Sequence, residues 1–140
     1  MSFLLDTNVV SEWVKPRPDL GLAAWLDGID EGSVFLSVVT LAELCHGIDR
    51  MAGARRIRLE AWLTDELPAR FEGHILAIDP IVANACGRCL ARCQRAGRPI
   101  GAMDALVAAT AEVHDLTLVT RNVTDFKASG ISVLNPWTGN

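Results

Sequence analysis

Asp6 directly follows the apolar run Phe3-Leu4-Leu5, and Asp104 sits between Met103 and Ala105-Leu106-Val107; in either setting an unpartnered carboxylate is costly to bury. Glu43 falls two turns after the apolar run Val34-Phe35-Leu36, and Asp125 closes the polar stretch that begins at Thr120. Brought into one pocket, these acids would repel one another until a cation came between them, and without it at least one would hold a raised pKa. Oxygen ligands unaccompanied by His or Cys suit a hard divalent ion, Mg²⁺ or Mn²⁺, better than zinc.

Singly, each acid has a structural explanation. Asp6 could cap a helix, Glu43 could complete a capping box with Thr40, and Asp104 could complement a helix macrodipole. A shared cation explains Asp6 and Asp104 together, because both stand in apolar surroundings.

The elements that must position them follow from the apolar pattern. Short strands are expected over 3–5, 34–36, 74–78, 116–119 and 131–134, each too apolar to have a wet face. Between them the pattern predicts a helix capped by Thr7 or Asn8 and running to about 14, and a helix over 20–27. A third helix, capped by Ser37 or Thr40, runs through 49. An amphipathic helix over 54–67 should end at Pro68, a helix from Pro80 to about 96 should stop at Gly97 and Pro99, and an alanine-rich helix covers 102–114. Residues 122–126 read as a turn with some helix. Doubly buried strands separated by helices call for a three-layer α/β/α sandwich with a central parallel sheet. In such a sheet ligands bind outside the carboxyl ends of the strands, where Asp6 and the 120–125 segment fall.

Leu4-Leu5-Asp6-Thr7-Asn8, Ser37-Val38-Val39-Thr40-Leu41-Ala42-Glu43-Leu44, Met103-Asp104-Ala105-Leu106-Val107-Ala108-Ala109-Thr110 and Thr120-Arg121-Asn122-Val123-Thr124-Asp125-Phe126 resemble, in order, the four motifs of the PIN-domain toxins. The resemblance covers nearly the whole chain and is strongest to the VapC and FitB branch of toxin–antitoxin ribonucleases, whose FitB-like members carry a terminal Asn135-Pro136-Trp137. It implies that Asp6, Glu43, Asp104 and Asp125 are catalytic and hold Mg²⁺ (or Mn²⁺), Asp6 and Asp104 first. Family members place the fourth acid variously, so Asn122 stands beside Asp125 as a candidate. Thr7, Asn8, Thr120 and Arg121 would support the site or the substrate. One or two ions would activate water for in-line attack on single-stranded or looped RNA, leaving 5′-phosphate and 3′-hydroxyl ends. The resemblance further implies a homodimer, a cognate antitoxin, and operator DNA bound only through that antitoxin. Two other readings stand beside it. One is a nuclease acting on DNA or branched structures, which the same acids would serve. The other is a non-catalytic subunit, against which the intact acids count.

Composition fits one domain over 1–140: half of the residues are apolar, enough for one core. No apolar run approaches the roughly 20 residues of a membrane-spanning helix, and Asp6 interrupts any leader; a cytoplasmic protein with no membrane partner is expected. The net charge of −4 is unusual for a nucleic-acid binder, but it is unevenly spread. Residues 50–98 hold nine arginines against five acids, a net of +4 that leaves −8 for the rest. The groups Arg50 to Arg58 and Arg88 to Arg98 are solvated helix faces or part of a substrate track. Cys86, Cys89 and Cys93 share one helix face and, lacking a companion His or Cys pair, belong to packing; Cys45 is expected to be buried as well. Trp13, Trp25 and Trp62 are core anchors whose edges could serve as antitoxin sockets.

Overall fold

Three consecutive apolar residues buried on both faces make β1 (Phe3–Leu5) a central strand, with Leu4 facing one helical layer and Phe3 and Leu5 the other. A computed structural model of the chain describes residues 1–138; residues 139 and 140 of the expected domain lie outside them. The remaining strands are β2 (Val34–Ser37), β3 (Ile75–Leu76), β4 (Thr117–Val119) and β5 (Val133–Leu134). They form one five-stranded sheet in the order β3-β2-β1-β4-β5, every pairing parallel, with Leu4 opposite Phe35 on one side and Leu118 on the other.

Helices α1 (Thr7–Trp13), α2 (Leu20–Asp27), α3 (Val38–Asp49), α4 (Gly53–Ala61), α5 (Leu67–Arg70), α6 (Pro80–Arg95) and α7 (Ala102–Val113) cover the sheet. Leu4, Leu118 and Phe126 pack with α6 and α7, while Phe3, Leu5 and Val119 pack with α1, α2 and Leu67. The expected three-layer α/β/α sandwich with a central parallel sheet is therefore the architecture found. Among the described residues no helix is long and apolar enough to cross a membrane.

Several local expectations change. Asp6, rather than Thr7 or Asn8, caps α1 by accepting the Thr7 N–H. Ser37 caps α3 through the Val39 N–H at 3.0 Å, whereas Thr40 is buried with an Oγ1 that has no hydrogen-bond partner among the described residues. Pro68 does not end the fourth helix. It lacks the N–H that would reach the Thr64 carbonyl, and the turn before it widens into a π-helix over Trp62–Glu66 with Leu67 N–H on the Trp62 carbonyl; the helix resumes as α5. Cys86, Cys89 and Cys93 are buried against α7 as expected, but Cys45 is exposed. The buried line of α3 runs Thr40, Leu44, Ile48 at intervals of four, and Cys45 stands about 100° around the helix from Leu44.

Two clamps hold the periphery. Arg92 donates from Nε and Nη2 to the Ser129 carbonyl at 3.2 and 2.8 Å, joining α6 to the 3₁₀ turn Val123–Ser129. Asp19 Oδ2 accepts from Leu22 N–H at 3.0 Å and from Thr138 N–H at 2.9 Å, pinning the C-terminal segment to the start of α2.

Candidate metal centre

The sheet order reverses between β1 and β4: the chain builds β2 and β3 on one side of β1, then returns to place β4 and β5 on the other. The crevice at the carboxyl ends of strands flanking such a switch is the ligand site of open parallel sheets. Asp6 is the first residue after β1 and Thr120 the first after β4, and the Asp6 N–H continues the ladder onto the Val119 carbonyl at 2.9 Å.

Asp6 is only 5% exposed, and both its oxygens are held. Oδ1 accepts from the Thr7 N–H and Oδ2 from the Thr120 hydroxyl, each at 2.8 Å. Thr120 Oγ1 in turn accepts from Asn8 Nδ2 at 3.2 Å and the Asn122 N–H at 3.0 Å, and Asn8 Oδ1 accepts from the Arg121 N–H at 3.2 Å. This web fixes the carboxylate from two strands at once. Burial raises the pKa of Asp6; the bonds from Thr120 and Thr7 oppose that rise, and the charges of Glu43 and Asp125 add to it.

Glu43 reaches the same pocket from the middle of α3. Its Oε1 accepts from the Thr7 hydroxyl at 2.6 Å, so its bond runs to α1 and not to a capping box with Thr40. Asp104 lies in the first turn of α7, where the macrodipole favours ionisation. Its pKa is nevertheless pushed up to about 6, by burial first and then by Asp6, Glu43 and Asp125. Among the described residues no donor reaches its carboxylate. Asp125, in the first turn of the 3₁₀ helix, is exposed and lines a cleft together with Asp104. Asn122 contributes its backbone N–H to Thr120 and lies exposed at the start of that turn.

The structure thus brings all four sequence-derived acids within electrostatic reach of one another. Among the described residues no three His, Cys, Asp or Glu side chains form a ready-made ligand cluster, so the acids share a pocket without closing a coordination sphere. Its chemistry fits a hard divalent cation: the donors are all oxygen, and every charge that raises Asp104 is another carboxylate.

The basic groups divide. Arg56 is paired with Asp49 and Glu60, and Arg92 supports the 3₁₀ turn. Arg55 and Arg58 line a groove that also reaches Glu43 and Trp62. Arg121 has its guanidinium 5.6 Å from the Trp137 ring centroid. Trp13 is half-buried, edge-on to Phe71 and covered by Arg70 at 4.4 Å. Arg98, grouped by sequence with arginines expected on a solvated helix face or along a substrate track, lies beyond α6 and lines the cleft shared by Asp104 and Asp125. The Gly97-Arg98-Pro99 tripeptide, which turns the chain out of α6, was the available signal.

Comparison with known proteins finds relatives along nearly the whole chain. The family model described as PIN domain matches residues 3–129. The chain is 36% identical to the VapC ribonuclease Y4jK of Sinorhizobium fredii over 96% of both chains. It is 38% identical to Toxin FitB of Neisseria gonorrhoeae, over 96% of this chain and 97% of that one. The crystal structure of FitAcB from Neisseria gonorrhoeae superposes with a TM-score of 0.91 at 36% identity, over 97% of this chain and 99% of that one.

Proposed function

This chain belongs to the PIN-domain family, and we propose that it is a Mg²⁺-dependent endoribonuclease, with Mn²⁺ as a substitute, serving as the toxin of a toxin–antitoxin pair. The observation that carries the reading is Asp104, a carboxylate pushed up to about 6 by burial and by three other carboxylates, a state that a bound cation relieves. A divalent ion held there supplies the positive charge a phosphodiester needs and brings the pKa of a water near neutrality.

The chain's own residues do the positioning. Asp6 and Asp104 would be the principal ligands, Glu43 is steadied by Thr7, and Asp125 adds negative charge from the same cleft as Asp104. The Thr120 hydroxyl keeps one Asp6 oxygen in a fixed direction, which limits how far the carboxylate can turn away from the ion.

The name of the ribonuclease relative supports RNA as substrate, and a single strand is favoured because it can bend a phosphate into a recessed pocket. A toxin requires a partner that silences it in the cell that makes it. The apolar groove bounded by Val14, Leu44, Ile48 and Trp62, which opens onto Glu43 and is edged by Arg55 and Arg58, suits a segment of such an antitoxin. Retained binding of the cognate segment after Trp13→Ala and Trp62→Ala would rule out the tryptophans as its sockets. With a net charge of −4 the chain has little to offer duplex DNA, so operator contact is assigned to the antitoxin. A homodimer in the cytoplasm completes the proposal.

The test is cleavage of mixed single-stranded RNA and DNA pools by wild type, Asp6→Ala and Asp104→Ala, with Mg²⁺, Mn²⁺ or excess chelator. RNA cleavage that needs metal and is lost in both folded variants is expected. Equal behaviour of wild type and variants would refute the reading.

A further inference from the structure

The acidic pocket has an unresolved electrostatic requirement: four carboxylates attract a cation but repel the phosphates on either side of the one being cut. A strand laid across the site needs a positive group close to the acids that they do not neutralise. The cleft shared by Asp104 and Asp125 supplies one, because among the described residues that line it Arg98 alone is basic. No carboxylate among the described residues is within ion-pairing distance of Arg98, in contrast to Arg56, Arg70 and Arg92, which all have acidic partners.

Arg98 is also placed by rigid backbone. Gly97 takes the left-handed conformation at φ 72°, the Gly97 N–H bonds the Gln94 carbonyl at 3.0 Å and the Arg98 N–H bonds the Cys93 carbonyl at 3.0 Å. That pair of bonds closes α6 in a Schellman motif. Pro99 then restricts the backbone on both sides of its peptide bond, and Ile100 packs into the core beneath. Arg98 therefore stands on a fixed stretch of backbone and lines the same cleft as Thr124 and Asp125 of the 3₁₀ turn.

We propose that Arg98 is a substrate-binding residue that grips an RNA phosphate adjacent to the scissile one. The inference rests on the ribonuclease reading above. A guanidinium suits the role because its planar fork meets phosphate oxygens with two parallel hydrogen bonds.

The experiment compares wild type, Arg98→Gln and Arg98→Lys on a single-stranded RNA oligonucleotide that wild type cleaves. Binding is read by fluorescence anisotropy in an Asp104→Asn background, where the strand stays intact, and the Mn²⁺-induced rise in Tm serves as the check on the metal pocket. Arg98→Gln should raise KM and Kd roughly tenfold, leave kcat within about twofold, and flatten the salt dependence by about 0.7 in log–log slope. Arg98→Lys should keep the salt slope while losing part of the affinity. The Mn²⁺ response should be the same in all three. Unchanged KM, Kd and salt slope in Arg98→Gln overturn the inference and leave the ribonuclease reading intact. Loss of the Mn²⁺ response in Arg98→Gln overturns it too, by making Arg98 a support of the pocket. A wild type that neither cleaves nor binds RNA overturns the ribonuclease reading and this inference with it.

Discussion

The Thr7 hydroxyl donates to Glu43 Oε1 at 2.6 Å while the Thr7 backbone N–H donates to Asp6 Oδ1 at 2.8 Å, so one residue orients the first two acids of the pocket, one at the cap of α1 and the other within α3. Thr7→Val keeps the shape and the backbone bond but removes the hydroxyl. Glu43 would then be free to turn toward solvent, and affinity for Mn²⁺ should fall roughly tenfold, in the range seen when a ligand loses its supporting partner. The metal-free fold should lose no more than about 1 kcal/mol, the worth of one partly exposed hydrogen bond. Calorimetric titration with Mn²⁺, alongside a metal-free melt, separates the two effects.

Asp104 makes the metal-free protein sensitive to pH in a direction opposite to that of an ion-paired carboxylate. Its pKa is raised to about 6 in the fold from a usual 3.8, so between those values the native chain holds more protons than the unfolded one. Stability must then fall as pH rises through that window, with the loss complete above about 6. Asp104→Asn removes the charge and the loss. Without metal the variant should melt a few degrees above wild type at pH 7.5, roughly the effect of 1 kcal/mol in a domain of this size, with the gap closing near pH 4. Adding Mn²⁺ should reverse the order, because only the carboxylate gains from the ion. An equal Tm difference at both pH values without metal would contradict this account.

What was legible in the sequence follows from how local each signal is. Asp6 was readable as a site residue because a buried strand ends on it, and the parallel sheet followed from strands too apolar to have a wet face. The Thr7–Glu43 bond was not readable: it spans 36 residues and depends on how α1 packs on α3. Pro68 misled because a proline is a helix stop only where the backbone cannot widen ahead of it, and here a π turn absorbs it. Arg98 was readable only as one of a group of arginines, most of which lie on α6 itself. Gly97 and Pro99 on either side of Arg98 signalled the turn, but only the fold showed that the turn shares a cleft with Asp104 and Asp125.

Gly21 meets backbone where a side chain would have to go. A Cβ built there would lie 2.6 Å from the Pro136 carbonyl oxygen and 2.8 Å from the Thr138 nitrogen. Gly21→Ala must therefore push the C-terminal segment off α2, disturbing the Gly21 N–H bond to Thr138 Oγ1 at 2.8 Å and the Asp19 bonds to Thr138. A loss of about 1–3 kcal/mol is expected, the usual consequence of overpacking against atoms that cannot rotate away. Chemical denaturation measures it. Mn²⁺ affinity should be unchanged, because none of these groups contacts the acidic pocket.

Asp125 and Asn122 present two ways to complete the pocket, and the structure gives them different roles. The Asp125 charge raises the pKa of both Asp6 and Asp104 and its residue lines the cleft with Asp104, while Asn122 acts through its backbone N–H on Thr120. Asn122→Ala keeps that N–H, so RNA cleavage and Mn²⁺ affinity should stay within about twofold of wild type, a change of under 0.5 kcal/mol. Asp125→Asn removes a full negative charge from the rim. Mn²⁺ affinity should drop about tenfold, and the pKa of Asp104 in the metal-free protein should move down toward the usual carboxylate range, since one of the charges holding it up is gone. Carboxylate titration followed by NMR reads the second effect without metal or substrate. A downward shift of Asp104 in Asp125→Asn with none in Asn122→Ala would place Asp125 in the pocket as its fourth charge; an Asp104 that titrates unchanged in Asp125→Asn would remove Asp125 from that role.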